Sequence, residues 1–228
     1  MRLSKEIFTI IAPDYDGVVT SYARRRFVDS LLQQSFPLWR LLLIHDGPRT
    51  ESVPCFSDSR IECLSTAERA NDWGHSQRAY GLSIANGELI WIINPDNVIY
   101  PHSLAIAHAY SLNEKRTSYF RVGSDRVLAT TDNPEVLICA IRMMGLRTAA
   151  HTGGHIRLRG YEANHQLLLA GWPPKKYNVD AMSLIAKASI YRDFGWPYKH
   201  EDSDGDVIEG ITSKHGYMLI PEILGEHW

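Results

Sequence analysis

Short, mainly apolar runs recur along the first half of the chain. Ile7–Ala12, Trp39–Ile44 and Leu89–Ile93 are such runs, and each is followed within two residues by Pro, Asp or Asn. Runs of this length with turn-forming residues at their ends predict strands that are buried on both faces. Arg60–Leu64 predicts a further, shorter strand.

Helical patterns fill the spaces between these runs and predict helices over 21–34, 75–85 and 102–112. In the first helix, Phe27 and Leu31 belong to an apolar stripe, while Arg24 to Arg26 are expected to form a basic surface. Strands that alternate with helices predict βαβ units, and right-handed crossovers place the carboxyl ends of their strands at one edge of the sheet. We therefore expect one α/β domain over 1–228, with a mixed, mostly parallel central sheet flanked by helices.

The second half is less regular, and its pattern leaves the secondary structure of two spans open. The span 135–143 fits a helix or a strand, and the glycine-rich span 149–171 fits a loop followed by a short element. The remaining predictions are strands at Phe120–Leu128, Asn178–Ala186 and Tyr217–Pro221 and a short helix at Ala188–Phe194.

Composition and charge narrow the class of protein. The 228 residues are 44% apolar and 22% charged, with a net charge of −2, so no basic surface predicts nucleic-acid binding. No segment approaches the roughly 20 apolar residues that a membrane span needs. Three scattered cysteines give neither a disulfide framework nor a CxxC metal site. We expect a cytoplasmic protein, with peripheral attachment to a membrane as the alternative.

Acidic residues follow several of the predicted strands, where the ligands of open α/β sheets bind. They are Asp14, Asp16, Asp46, Asp72 and Asp96. Each of them could simply favour a turn. As a set, with Asn94 and Asn97, they suit a divalent cation that prefers oxygen ligands, Mg²⁺ or Mn²⁺, and that bridges a diphosphate. The chain contains neither a GxxxxGK[ST] nor a GxGxxG motif, so metal and basic side chains must meet any phosphate charge.

Six segments, in order, resemble the family 2-like glycosyltransferases of the GT-A fold. They are Ile10–Pro13 in the first strand, Phe27–Pro37, Leu43–Pro48 at the "vvDDGS" position, Gln77–Gly87 at the "aRNxGlxxAxGeyi" position, Asn94–Asn97 at the DxD position, and Glu201-Asp202 at the "ED" element. The resemblance implies a GT-A (Rossmann-like) domain, with a nucleotide-binding half over 1–112 and an acceptor-binding half over 113–228. The implied activity is transfer of a hexose from a nucleotide-diphosphate sugar, with a UDP-sugar favoured, to a hydroxyl of a glycan or another acceptor.

The resemblance also implies roles for residues on the donor side. Pro13 and Asp14 would border the nucleobase, and Asp46 would accept a hydrogen bond from a uracil-like ring N–H. Asp72 and Arg78 would lie beside the nucleotide, and Asn94 belongs to the DxD turn.

The implied metal ligands are Asp96 and the late histidine His227, and an imidazole favours Mn²⁺ over Mg²⁺. Asp202, or else Glu201, would be the general base of an inverting reaction. Each of these residues also has a plain structural alternative: Asp96 as a turn residue, His227 as a frayed end, and the acids at 201 and 202 as partners of a helix dipole.

Three residues depart from the family pattern, and these departures leave the function open. Asn94 and Asn97 replace carboxylates, which weakens a cation site, and His45 replaces the first Asp of the "DDGS" turn. A catalytically impaired nucleotide-sugar-binding module is therefore one alternative, and a nucleotidyltransferase is a lesser one.

His151 and His155 fit a loop over the acceptor or phosphates better than a zinc site. Trp73, Trp172 and Trp196 suit either stacking on a sugar face or core packing.

Overall fold

A computed structural model describes residues 6–16, 19–49, 56–113, 120–122, 125–127, 133–144, 168–170, 174–176, 179–197 and 199–228. The predicted loop with His151 and His155 lies outside the described residues, as does Trp172. None of the helices in the described ranges is long and apolar enough to cross a membrane.

The strands follow the predicted runs closely in the first half. They are β1 (Phe8–Asp14), β2 (Trp39–His45), β3 (Ile61–Ser65), β4 (Leu89–Ile92), β5 (Val98–Ile99), β6 (Phe120–Val122), β7 (Asp125–Val127), β8 (Val136–Met143), β9 (Leu168–Ala170), β10 (Leu184–Lys187) and β11 (Met218–His227). The helices are α1 (Ser21–Leu32), α2 (His75–Ile84), α3 (Ser103–Ser111), α4 (Ala188–Phe194) and α5 (Ser203–His215), with a 3₁₀ helix at Ala181–Ser183. Helix α1 begins where Thr20 accepts a side-chain hydrogen bond from the amide of Ala23.

One mixed sheet joins both halves of the chain. Its order is β3-β2-β1-β4-β10-β8-β11-β5, and β9 pairs with β8 beside this path. The strands β3, β2, β1 and β4 are parallel, whereas β10 runs antiparallel to both β4 and β8. Strand β11 is parallel to β8, so it points the same way as β4. This mixed α/β sheet confirms the predicted fold class.

Strands β1, β2 and β4 are buried on both faces, as their mainly apolar sequences predict. Ile10 and Ala12 face one apolar layer together with Phe27 of α1 and Leu104 of α3. The next residue along β1, Ile11, faces the opposite layer, which holds α2, α4 and α5. The core therefore has two layers, one on each face of the sheet.

Several predictions for the second half need correction. Phe120–Leu128 is not one strand, because β6 and β7 pair antiparallel to each other. The predicted strand at Asn178–Ala186 begins instead with the 3₁₀ helix, since the Asp180 side chain accepts a hydrogen bond from the amide of Met182. The span 135–143 is a strand rather than a helix, and β5 was not predicted.

Gly87 allows β4 to start close beside β1. Its amide donates to Thr9 Oγ1 at 2.8 Å, and a Cβ placed on Gly87 would lie 2.5 Å from the backbone nitrogen of Thr9. A backbone atom of a buried strand cannot move away as the end of a flexible side chain can. Gly87 is therefore a packing requirement for the strand that leads to Asn94–Asn97.

We expect Gly87→Ala to lower the free energy of unfolding by about 1–3 kcal/mol, the usual cost of forcing extra volume into a packed core. Urea unfolding measures the change. Asn86→Ala is the matched control, because Asn86 is exposed next to Gly87, and it should stay within about 0.5 kcal/mol of the parent. Equal stability of the two variants would contradict this account of Gly87.

Candidate active site

The sheet topology brings polar residues from distant parts of the chain to one edge. Strands β1, β2, β4 and β11 all end at this edge, which places Asp14, Asp46, the turn after β4 and His227 there. Strand β10 runs the opposite way, so the residue that precedes its 3₁₀ helix, Asp180, arrives at the same edge. Ligands of open α/β sheets bind outside such an edge.

A cavity of about 440 Å³ opens beside the ends of β1 and β2. Its lining residues are Tyr15, Asp16, Asp46, Arg69, Asn71, Asp72 and Trp73. Two of the predicted donor-binding residues, Asp46 and Asp72, are thus neighbours in one cavity. The Asp46 carboxylate accepts hydrogen bonds from the amides of Ala70 and Asn71 at 2.8 and 2.9 Å, which fixes its orientation.

Asp14 has a different setting from the one predicted. Its carboxylate is fully buried and receives the Nε and Nη2 donors of Arg24 at 3.0 and 2.8 Å, and Nη1 of Arg49 at 3.2 Å. The expectation that Arg24 is part of a basic surface is wrong, because this ion pair draws the guanidinium inside the protein. Pro13, also buried, packs against Gly74 at the start of α2.

His45, which departs from the family turn, is buried behind the cavity. Its Nδ1 donates to the carbonyl of Gly47 at 2.8 Å, and its Nε2 lies 3.1 Å from Oδ1 of Asp16. The imidazole therefore supports the cavity wall from the side of the core.

Arg78 connects the cavity to the turn after β4. Its Nη1 donates to the carbonyl of Trp73 at 2.8 Å, and its Nη2 donates to Oδ1 of Asn94 at 2.9 Å. Only 5% of the residue is exposed, and its guanidinium lies 5.2 Å from the ring centre of Trp196. The predicted donor-binding residues Arg78 and Asn94 are thus in direct contact.

Asp96 lies in the turn, and one of its carboxylate oxygens has no hydrogen-bond partner. Its Oδ1 is buried and makes no hydrogen bond, while its backbone carbonyl accepts from Nη2 of Arg26 at 2.7 Å. Burial raises the pKa of Asp96, and the nearby His227 opposes that rise. Asn97 is fully buried and uses its Oδ1 to accept from the amide of Trp228 at 3.3 Å.

His227 influences the pKa of Asp96, and its imidazole lies against Asp180. Its Nε2 is 3.3 Å from Oδ2 of Asp180, and this contact lowers the pKa of Asp180 against the opposing effect of burial. Among the described residues, no three His, Cys, Asp or Glu side chains form a group that could hold a metal ion. A cation here would need ligands from a bound substrate as well.

Two acidic residues of this edge were missed in the sequence, Asp180 and Asp204. Asp204 accepts a hydrogen bond from the amide of Ala181 at 3.2 Å. Burial and the charge of Asp180 raise the pKa of Asp204 to about 6. The Asp-x-x-Ser spacing before β10 could have indicated Asp180 as a helix cap; the direction of β10, which brings it to this edge, could not be read from the sequence.

The two predicted base residues differ in their environment. Asp202 immediately precedes α5, and its side chain is 43% exposed, with Oδ2 3.7 Å from Nζ of Lys176. Glu201 is exposed on the protein surface. The carbonyl of His200 accepts from Nε2 of His75 at 2.9 Å, which attaches this segment to α2.

His75 is held neutral by its surroundings. Burial, with the charge of Arg78, lowers the pKa of His75 to about 4. Its Nδ1 accepts from Nε1 of Trp196 at 2.9 Å and its Nε2 donates to His200, so both ring nitrogens are used. Trp196 is accordingly a core residue, one of the two roles that its sequence allowed.

Comparison with known proteins was made by sequence and by structure. Residues 18–124 match the family model described as Glycosyl transferase family 2. A search of curated proteins gives no match. S. aureus TarS 1-349, solved in complex with UDP, superposes with a TM-score of 0.62 at 14% identity, covering 97% of this chain and 60% of TarS 1-349.

A second solved structure is similar over the same fold. The mannosyltransferase PcManGT from Pyrobaculum calidifontis, in complex with GDP-Man and Mn²⁺, gives a TM-score of 0.58 at 11% identity, covering 98% of this chain and 57% of that protein. The chain therefore spans about 60% or less of the length of these two proteins. The family match and the shared fold confirm the resemblance predicted from the sequence, to the family 2-like glycosyltransferases of the GT-A fold.

Proposed function

We propose that this chain transfers a sugar from a nucleoside-diphosphate donor to a hydroxyl acceptor. The observation that carries the proposal is the arrangement along one sheet edge. A cavity with the fixed carboxylate of Asp46 is followed by Arg78 and then by Asp96 with His227. This order suits a nucleobase, a diphosphate and a sugar that lie side by side along the edge.

On the donor side, Asp46 selects for a base with a ring N–H. A carboxylate only accepts hydrogen bonds, so it favours uracil or guanine over cytosine, whose corresponding ring nitrogen is an acceptor. TarS has been solved with UDP and with UDP-GlcNAc, and PcManGT with GDP-Man. We favour a UDP-hexose for this chain. Asp72 borders the same cavity, and Arg78 offers positive charge to the diphosphate.

The residues beside Arg78 fit a divalent cation. Asp96 offers a buried oxygen without a hydrogen-bond partner, and His227 offers an imidazole nitrogen that now faces Asp180. Cations of this kind are commonly held by one or two carboxylates together with substrate phosphates. We assign Asp96 and His227 as the ligands of Mn²⁺, or Mg²⁺. When bound, the cation would stabilise negative charge on the departing diphosphate.

For the base we favour Asp202 over Glu201. Asp202 is the half-exposed acid at the start of α5, where an acceptor hydroxyl could reach it. Its carboxylate would take the hydroxyl proton while the acceptor oxygen attacks the anomeric carbon. The bond from that carbon to the diphosphate breaks on the opposite face, which inverts the anomeric centre.

One observation favours the second candidate, a nucleotide-sugar-binding module with impaired catalysis. The amide oxygens of Asn94 and Asn97 are already engaged by Arg78 and by the amide of Trp228. Neither replaces the carboxylate that the family pattern places in the turn. Release of UDP from UDP-sugars in the absence of acceptor distinguishes the two functions, because a binding module retains the donor intact.

We expect Mn²⁺ to tighten UDP binding at least about tenfold relative to EDTA, because a cation held by Asp96 would also attract the charge of the diphosphate. Isothermal titration calorimetry measures both affinities. Asp96→Asn should remove most of the difference, whereas Asp58→Asn, beside Arg60 on another loop, should preserve it. Equal affinity of the parent protein in Mn²⁺ and in EDTA would refute the metal assignment.

We expect Asp202→Asn to slow transfer by about 10²- to 10⁴-fold, the usual contribution of a general base. The donor is chosen as the UDP-, GDP- or dTDP-sugar that stabilises the protein most in a thermal-shift screen. Donor affinity should not change, because the carboxylate contacts the acceptor. Glu201→Gln is the matched control on the neighbouring exposed acid. If Asp202→Asn turned over like the parent while Asp204→Asn did not, the role would belong to Asp204.

The raised pKa of Asp204 predicts a pH effect on stability. The folded state keeps the Asp204 proton up to about pH 6, whereas the unfolded chain releases it near the ordinary aspartate pKa of 3.8. Stability contributed by this group is therefore lost as the pH rises between these values. Asp204→Asn stays neutral, so its stability relative to the parent should increase by about 2 kcal/mol from pH 4 to pH 7. Urea unfolding at several pH values tests this, and a constant difference would contradict it.

A further inference from the structure

Trp73 lies on the rim of the cavity and is 59% exposed. A single exposed aromatic residue needs no explanation by itself. Trp73 differs because its backbone adopts φ of +56°, in the left-handed region that bulky residues rarely occupy. Asn71 nearby has φ of +51°, and Gly74 has φ of +85°. Strained backbone of this kind persists only where the surrounding structure fixes it, and it clusters at ligand sites.

The surrounding structure fixes this loop at both ends. On one side, the Asp46 carboxylate accepts from the amides of Ala70 and Asn71. On the other, Nη1 of Arg78 donates to the carbonyl of Trp73 at 2.8 Å. Gly74 follows immediately, so close to Pro13 that a Cβ on it would lie 2.6 Å from the proline Cβ. The position of the Trp73 backbone on the rim is therefore set before any ligand binds.

The chemistry of the cavity indicates what the indole would contact. Asp16, Asp46 and Asp72 contribute three carboxylates to the lining, against the single cation of Arg69. Such a lining disfavours phosphate, so the diphosphate belongs outside the cavity, toward Arg78. A neutral, planar group with N–H donors suits both the carboxylates and an aromatic face, and a nucleobase is such a group.

We propose that Trp73 is the stacking platform for the nucleobase of the donor, with the N–H edge of the base directed at Asp46. This inference rests on the proposed function, because it assumes a nucleotide in the cavity. The indole supplies affinity through the face of the base, and Asp46 supplies discrimination through its edge. Uracil and guanine share the required ring N–H, and titration with UMP and GMP separates them.

The test removes the ring without straining the loop. Glycine adopts a φ of +56° without a steric cost, so Trp73→Gly deletes the indole and keeps the backbone conformation accessible. Trp73→Phe keeps an aromatic face. Tyr22→Ala, on α1 and 75% exposed, is the matched control for loss of an exposed aromatic residue. UMP, GMP and UDP are titrated calorimetrically into each protein in EDTA, so that the metal site does not contribute.

We expect Trp73→Gly to weaken the favoured nucleotide by about 5- to 150-fold, the range that stacking of one base on an aromatic side chain supports. UMP and UDP should weaken by the same factor if the base is uracil, because the lost contact is to the base. Trp73→Phe should retain most of the affinity, and Tyr22→Ala all of it.

Two results would overturn the inference, and they differ from failure of the proposed function. Parental affinity in Trp73→Gly would show that the ring does not contact the base. A loss in Trp73→Phe as large as that in Trp73→Gly would assign the effect to packing of the indole in the loop. By contrast, a parent protein that binds none of UMP, GMP and UDP, in Mn²⁺ as well as in EDTA, would refute the proposed function itself.

Discussion

The buried positive charge of Arg78 links the loop beside the cavity to the turn after β4, at the edge of the sheet where the parallel strands end. Taking a guanidinium out of water is costly unless hydrogen bonds and opposite charges compensate. The carbonyl of Trp73 and the amide oxygen of Asn94 provide the hydrogen bonds. The carboxyl groups of Asp180 and Asp204 lie in the same region, since burial favours a raised pKa in both and the charge of Arg78 opposes that effect. The side chain of Arg78 therefore lies among three parts of this edge. They are the loop that carries Trp73, the turn after β4, and the carboxyl groups of Asp180 and Asp204.

The fold of the first half could be predicted from the sequence because burial on both faces leaves a simple signal. Ile10, Ile11 and Ala12 are all apolar, although they alternate between the two layers of the core. The second half lacked that signal. Asp180 is separated from Asp96 by more than eighty positions, and only the antiparallel placement of β10 brings them to one edge. Strand direction depends on long-range pairing, which no local pattern records.

The structure brings some of the predicted site residues together, but the partners of others could not be predicted from the sequence. Asp46 and Asp72 share a cavity, and His227 opposes the rise in the pKa of Asp96. For Asp14, however, the carboxylate is used by Arg24 and Arg49 inside the protein. A single sequence shows that an acid follows a strand, but it does not show which cation lies opposite. The roles assigned to these residues in binding and catalysis remain predictions.

The turn after β4 is held from both faces of the sheet. Arg26, on α1 in one layer, donates to the carbonyl of Asp96 and also lies 4.2 Å from the ring centre of Trp228. Arg78, on α2 in the other layer, donates to Asn94 in the same turn. A small shift of the turn would therefore change hydrogen bonds in both helical layers together. The sheet otherwise separates the two layers, and the turn Asn94–Asn97 connects them through these hydrogen bonds.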